Sequence, residues 1–279
     1  MTSASSEAPG RLIKRQKLAT RLTHWIWAAC LFFLLLSGLL IFNAHPSLDI
    51  GRQSGFDFDN SILEIGAEED GDGYRGVTTL FGMKFNTTGF LGVSGAADDP
   101  DLTAFPGWLT IPASRDLATG RVVHFFFAWI LVGTLFIWLV ASVRNRHIRK
   151  DLLPKAADAR NFWQDVKDHA RLKLVHSARY SPLQKLAYGG VLFVLFPLII
   201  LTGLCMSPGV NAMLPWLTEI FGGRQSARTV HFIVMALLVG FFVVHMAMIL
   251  LAGPFNELRS IITGRYRLSP RPSKEHADV

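Results

Sequence analysis

Four of the nine histidines in this 279-residue chain, His24, His124, His231 and His245, lie inside or at the edge of strongly apolar stretches. An ionisable side chain in such a setting is expensive to keep and points by default to function. Imidazole can hold a metal through one ring nitrogen while the other nitrogen fixes its orientation. His231 and His245 are 14 positions apart. On a helix that is about 21 Å of rise, and the second ring returns to within roughly 40° of the direction of the first. One helix face therefore serves two levels.

The elements that must carry these rings are legible from hydropathy. Half of all residues are hydrophobic, and they gather into four runs, roughly 22–43, 121–143, 183–205 and 228–251. Each is long enough to cross a hydrocarbon core of about 30 Å, which takes about 20 helical residues. The first run is too long for a signal core, has no small-residue cleavage site behind it and follows a basic tail, so it reads as a retained helix. The net charge of +7 is unevenly spread. Lys and Arg outnumber Asp and Glu five to one before the first run, ten to four over 144–182 and five to three from 252 onward, whereas acids lead twelve to four over 44–120. This positive-inside distribution puts both termini and the 144–182 connection in the cytoplasm and the 44–120 loop outside. It also makes anionic membrane lipid, and not nucleic acid, the partner of the basic residues. The expected organisation is a cytoplasmic basic tail (1–21), a membrane domain (22–251) and a second cytoplasmic tail (252–279), in a multi-pass membrane protein.

In that topology the first and third helices run outward and the second and fourth inward. His24 and His245 then lie towards the inner side, and His124 and His231 towards the outer side. Two imidazoles facing each other from neighbouring helices are the axial ligand set of a low-spin b haem. The sequence thus predicts two stacked b haems with all four histidines as iron ligands. For the inner pair to be level, helix 1 must begin before Leu22 or tilt. Cys30 and Cys205 both lie in apolar runs, so no disulfide framework, paired-cysteine metal site or Cys-x-x-Cys-His haem attachment is available. The plain alternative for any single histidine is a hydrogen-bonded core residue. The alternative for the set is a haem-free transporter whose histidines bind the transported ion, which would need polar or broken helices at mid-membrane.

Two further patterns accompany the histidines. Arg21, Arg121 and Arg228 each stand three residues before a histidine, at a membrane boundary. Haem propionates need a cation where porphyrin meets water, so Arg121 and Arg228 are assigned to the outer haem and Arg21 to the inner; ordinary snorkelling arginines are the alternative. Ser37-Gly38-Leu39 and Thr202-Gly203-Leu204 recur near the outer ends of the first and third helices. Gly38 and Gly203 suit a close approach of porphyrin to backbone, or close packing of helices. Away from the helices, 44–120 is expected to pack as a small cap with short strands or turns. Residues 161–174 suit a helix lying at the membrane surface, or a solvated loop, and 1–10 and 270–279 read as disordered.

These residues resemble the di-haem cytochrome b subunits of formate dehydrogenase, nickel-iron hydrogenase and thiosulfate reductase. The resemblance covers the four spans and their inner connections, with the 14-residue histidine spacing as its most specific feature. It is nearest to the thiosulfate-reductase-like branch. It rests on the stretches Arg144-Asn-Arg-His147-Ile-Arg-Lys-Asp151-Leu-Leu-Pro154, Tyr180-Ser-Pro-Leu-Gln184-Lys, Phe221-Gly-Gly-Arg-Gln-Ser-Ala-Arg228-Thr-Val-His231 and Gly253-Pro-Phe-Asn256-Glu-Leu-Arg259-Ser-Ile-Ile-Thr-Gly264-Arg-Tyr. The 44–120 loop departs from the short equivalent in the formate dehydrogenase subunit. The resemblance implies an all-α membrane protein, a four-transmembrane-helix bundle with a long extracytoplasmic loop between helices 1 and 2. It implies the same histidine pairing, a quinone as substrate, and a periplasmic redox protein, a molybdopterin-dependent oxidoreductase, as partner. His147, Asn256 and Arg259 stand at the inner boundary, where a quinone pocket needs polar groups, or where charged residues simply close a span. A self-contained oxidoreductase exchanging electrons with a small external molecule, the 44–120 loop serving as its lid, is the rival reading.

Overall fold

A computed structural model describes residues 12–55, 58–71, 73–96, 98–113, 115–146, 148–153, 156–171 and 180–267; the tails read as disordered lie outside them. In chain order the helices are α1 (Leu18–Asn43), α2 (Leu117–Arg144), α3 (Ala156–Ala170), α4 (Pro182–Gly190), α5 (Phe196–Met206), α6 (Pro208–Met213), α7 (Pro215–Ile220), α8 (Arg224–Ala252) and α9 (Pro254–Thr263). Helices α1, α2 and α8, together with the α4–α5 run over Pro182–Met206, are long and apolar enough to cross a membrane. Each outruns the apolar stretch that announced it. α1 begins at Leu18, four residues before Leu22, which is the extension that the inner histidine pair required. Between α4 and α5 lies a π turn, Val191–Leu195. Pro197 has no amide to donate to the Phe193 carbonyl, and a π turn is a common way to absorb such a break. Large apolar side chains on the long helices, among them Phe126, Trp129, Val244 and Leu250, are exposed, as befits surfaces covered by lipid.

The strands are β1 (Leu12–Lys14), β2 (Ser47–Asp49), β3 (Ser61–Asp70), β4 (Gly73–Leu80), β5 (Met83–Asn86), β6 (Ser94–Ala96), β7 (Asp99–Asp101) and β8 (Arg265–Arg267). They correct the all-α expectation. The 44–120 segment, expected as a small cap with short strands or turns, holds a four-stranded antiparallel sheet ordered β2-β3-β4-β5 and a small β6-β7 hairpin.

The fold divides into two compact units, each drawing a segment from all four long helical runs. One comprises the described residues within Ile26–Phe136 and Phe193–Val239. Here the sheet is fastened to helix ends. Leu48, Ile65 and Ala104 are buried against Phe42 at the end of α1, and Phe42 packs on Phe105 and Phe232 with ring centroids 5.6 and 4.9 Å apart. The Asn43 side chain both donates to the Phe105 carbonyl and accepts from its amide, each at 2.8 Å. The first amides of α8 have no partner within their own helix. Those of Gln225 and Ser226 donate to the Gly51 carbonyl at 3.1 Å, while Thr229 Oγ1 donates to the Asp49 carbonyl at 2.8 Å.

The other unit comprises the described residues within Met1–Trp25, Ile137–Leu192 and Gly240–Val279. β1 pairs antiparallel with β8, Ile13 opposite Tyr266, so part of the expected amino-terminal tail is tied to the far end of the chain. The Arg15 guanidinium lies over the Tyr266 ring at 4.3 Å and the Tyr180 ring at 5.3 Å. Burial, with the Glu257 carboxylate beside it, pushes the Tyr266 phenol up to about 12. Ser181 and Gln184 close a capping box at the start of α4, and the buried Lys185 ammonium reaches both carboxylate oxygens of Asp158 on α3, at 3.0 and 2.8 Å. α3 is thus a helix fixed to α4, with Trp163 exposed.

Gly223 gives a direct test of the clamp on α8. Its φ is +116°, and a Cβ there would come within 2.6 Å of the Arg52 Cα and the Gly51 carbonyl oxygen. Gly223→Ala is expected to lower stability by about 1–3 kcal/mol, read as a lower thermal midpoint in detergent; an unchanged midpoint would show that the loop yields freely.

Candidate functional site

The four histidines meet as two pairs. His124 on α2 faces His231 on α8 with ring centroids 6.5 Å apart and planes inclined at 54°. His24 on α1 faces His245 on α8 at 6.4 Å and 52°. The first pair lies wholly within the unit that holds the sheet, and the second wholly within the other. Two metal–imidazole bonds of about 2 Å each, plus the two ring radii, come to roughly 6.3 Å. Both separations therefore match one metal atom held between two imidazoles. Among the described residues no group of three or more His, Cys, Asp or Glu side chains is placed to hold a metal ion. A bare ion usually takes three or four protein ligands, whereas a porphyrin supplies four nitrogens itself and leaves two axial positions. Facing pairs fit the haem.

Around the first pair the local chemistry is well defined. Ser37 Oγ on α1 lies 3.1 Å from His124 Nδ1, and Thr202 Oγ1 on α5 lies 3.1 Å from His231 Nδ1. Each hydroxyl directs its own proton to a carbonyl one turn back, Ser37 to Phe33 at 2.6 Å and Thr202 to Leu198 at 2.7 Å. Each therefore accepts from the imidazole. The ring proton is placed on Nδ1, and Nε2 keeps the lone pair a metal requires. The adjoining glycines stand against the same rings: a Cβ on Gly38 would lie 3.4 Å from His124 Cε1, and one on Gly203 3.3 Å from His231 Cε1. Sequence reasoning noticed both Ser/Thr-Gly motifs for their glycines and missed the hydroxyls. The repeat of a hydroxyl residue before each glycine was the available signal.

The second pair is built differently. Phe241 stacks on His245 at 5.6 Å, Tyr188 meets that ring edge-on at 6.5 Å, and Trp25 packs edge-on against His24 at 5.5 Å. Tyr188 had no signal in the sequence beyond its place in an apolar run. His24 Nδ1 and Arg21 Nε are both buried and find no hydrogen-bond partner among the described residues. One turn apart on α1, they fit a site that offers a ligand both a ring nitrogen and a cationic N–H donor.

The other expected residues fall as follows. Arg21 also donates to the Ile262 carbonyl. Arg228 donates to the His45 carbonyl and lies over the Phe42 ring at 5.6 Å. Arg121 is exposed, its guanidinium 5.9 Å from the Phe125 ring centre. Asn256 uses both ends of its amide on the backbone of Arg267, at 2.9 and 3.0 Å, so its visible work is to hold β8 to α9. Arg259 is half-buried on α9, and His147 lies outside the described residues.

Residues 155–264 match the family model described as Prokaryotic cytochrome b561; this stretch carries His231 and His245. The chain is also 34% identical over 132 residues to a protein of Azospira oryzae described as a candidate protein-methionine-sulfoxide reductase subunit, YedZ1. That match covers 46% of this chain and 63% of the relative's length. The family-model likeness is to b-type cytochromes, and four helical runs of this chain are long and apolar enough to cross a membrane.

The packing of glycine against imidazole is open to test. Gly38→Leu and Gly203→Leu are expected to displace the rings and lower the haem-to-protein ratio of the purified protein. Gly133→Leu, where a Cβ meets nothing within 4 Å, is expected to leave it unchanged. Equal haem content in all three variants would contradict the packing.

Proposed function

We propose that this chain is a membrane b-type cytochrome that carries two b haems, one between His124 and His231 and one between His24 and His245, and passes electrons between a quinone and a redox protein outside the membrane. The observation that carries this reading is the ring separation: two independent histidine pairs, at 6.5 and 6.4 Å, each match a single iron between them. A haem held by two histidines would supply one-electron transfer. The chain supplies ligands and surroundings. His124 and His231 present Nε2 because their Nδ1 protons are held by Ser37 and Thr202. Gly38 and Gly203 leave room for those rings. Arg21 at one site, and Arg121 and Arg228 at the other, are the cations for propionates.

The charge distribution supports cytoplasmic termini and an external 44–120 segment, so that α8 takes His231 towards the outside and His245 towards the inside. Quinone chemistry belongs beside the inner pair. Of the three polar groups expected there, Arg259 and His147 are the ones we assign to it, since the Asn256 amide is engaged with Arg267. The external partner docks on the acidic sheet. The name of the Azospira relative supports a reductase complex, and the family resemblance supports a molybdopterin-dependent oxidoreductase as the partner.

The test is a pair of single variants followed by reduced-minus-oxidised difference spectra. His231→Ala is expected to remove the haem bound near the sheet, and His245→Ala the other, each variant keeping the haem that the other loses. Retention of both haems in either variant would refute the pairing. Quinol added to His245→Ala is expected to leave the remaining haem oxidised; prompt reduction would move the quinone site to the other pair.

A further inference from the structure

We propose that Ser37 and Thr202 are positioning residues that set the donor strength of the histidine ligands, and hence the reduction potential, of the haem held by His124 and His231, a control with no counterpart at His24 among the described residues. The inference rests on the proposed haem between that pair. A serine or threonine inside an apolar helix ordinarily returns its proton to a carbonyl one turn back, and that bond alone is only local. Here the hydroxyl oxygen does a second job. Both side chains are 0% exposed, both bond back along their own helices, and both stand 3.1 Å from the Nδ1 of an imidazole on a different helix. The same residue pattern, hydroxyl then glycine, makes the same contact on α1 and on α5.

The geometry constrains the ring twice. Turning the imidazole would take its buried N–H away from both the hydroxyl and the backbone carbonyl beside it, Leu34 for His124 and Ile199 for His231, which is costly where no water can replace them. The adjoining glycine leaves no spare room on the Cε1 side, since a Cβ there would already touch the ring at 3.4 Å for His124 and 3.3 Å for His231. The electronic consequence follows from the direction of the bond. A hydrogen bond accepted from Nδ1–H makes Nε2 a stronger donor, and a stronger donor stabilises ferric over ferrous iron, lowering the potential. Because the acceptor is a neutral hydroxyl, this is achieved without placing a charge among apolar helices. In the other site the Nδ1 of His24 is buried with no partner among the described residues. The chain therefore treats its two sites unequally.

The experiment uses the full chain in detergent, with Ser37→Ala and Thr202→Val made singly and together. Potentiometric titration followed in the optical α band is combined with electron paramagnetic resonance of the low-spin ferric signals. One haem, the one lost in His231→Ala, is expected to shift to higher potential in each single variant and further in the double variant, with a change in its low-spin signal. The other haem is expected to stay where it is. Ser37→Thr and Thr202→Ser, which keep the hydroxyl, are expected to retain the parental potential. Should Ser37→Ala fail to accumulate, Ser37→Cys keeps the volume with a poor acceptor and carries the same expectation. Two bound haems with unchanged potentials in the double variant would overturn the proposal, as would equal shifts in both haems or a similar shift in the hydroxyl-retaining variants. A wild-type protein with no haem that depends on His231 would instead remove the reading on which the proposal rests.

Discussion

A ring nitrogen enclosed by apolar helices has no water to bind, so each must receive a partner from the chain or from a ligand, and much of this fold is arranged around that requirement. α2 and α8 each bring an imidazole to the site within the sheet-bearing unit; α1 and α5 each bring a buried hydroxyl to the Nδ1 side of one ring. On the proposed reading that leaves a lone pair on each Nε2, and a metal between the rings would use both. In the other unit His24 Nδ1 and Arg21 Nε, without a partner among the described residues, make the same demand from a less enclosed setting.

Holding two rings at a set separation also requires helices that do not slide or turn. For α8 this is accomplished partly from outside the membrane-spanning part, by the segment around Asp49 and Gly51. That segment accepts hydrogen bonds from the amides of Gln225 and Ser226 and from the Thr229 hydroxyl, within two turns of His231. Phe42, at the end of α1, is shared between the sheet core and Phe232. The acidic 44–120 segment thus works as a brace for the helix that carries two of the four histidines. At the other end of α8, β1 and β8 join residues more than 250 positions apart, and the Arg15, Tyr180 and Tyr266 stack binds that junction to the approach to α4.

What the sequence disclosed and what it hid divide along physical lines. Hydropathy runs and the 14-residue spacing depend on the repeat of a single helix, so the four long helices and the pairing of rings were readable before any coordinates. The strands of 44–120 were anticipated only as a type of structure, because their order and register depend on contacts that no local pattern encodes. The β1–β8 pair was invisible, being three residues on each side, Leu-Ile-Lys against Arg-Tyr-Arg, from opposite ends of the chain. Ser37 and Thr202 were seen in their motifs but credited to the neighbouring glycines, since a hydroxyl in a helix has a default partner in its own backbone. Asn256 shows the reverse: a polar residue at a span's edge looked available for a ligand, and its amide is occupied by Arg267.

The measurement that bears most directly on the central claim is the amount of protohaem and of iron per polypeptide in the purified full-length chain, taken by alkaline pyridine extraction and elemental analysis. If imidazoles from α1, α2 and α8 grip iron at both places, the two determinations agree at two per chain. A single haem, or a colourless protein recovered from haem-replete cells, would contradict the account.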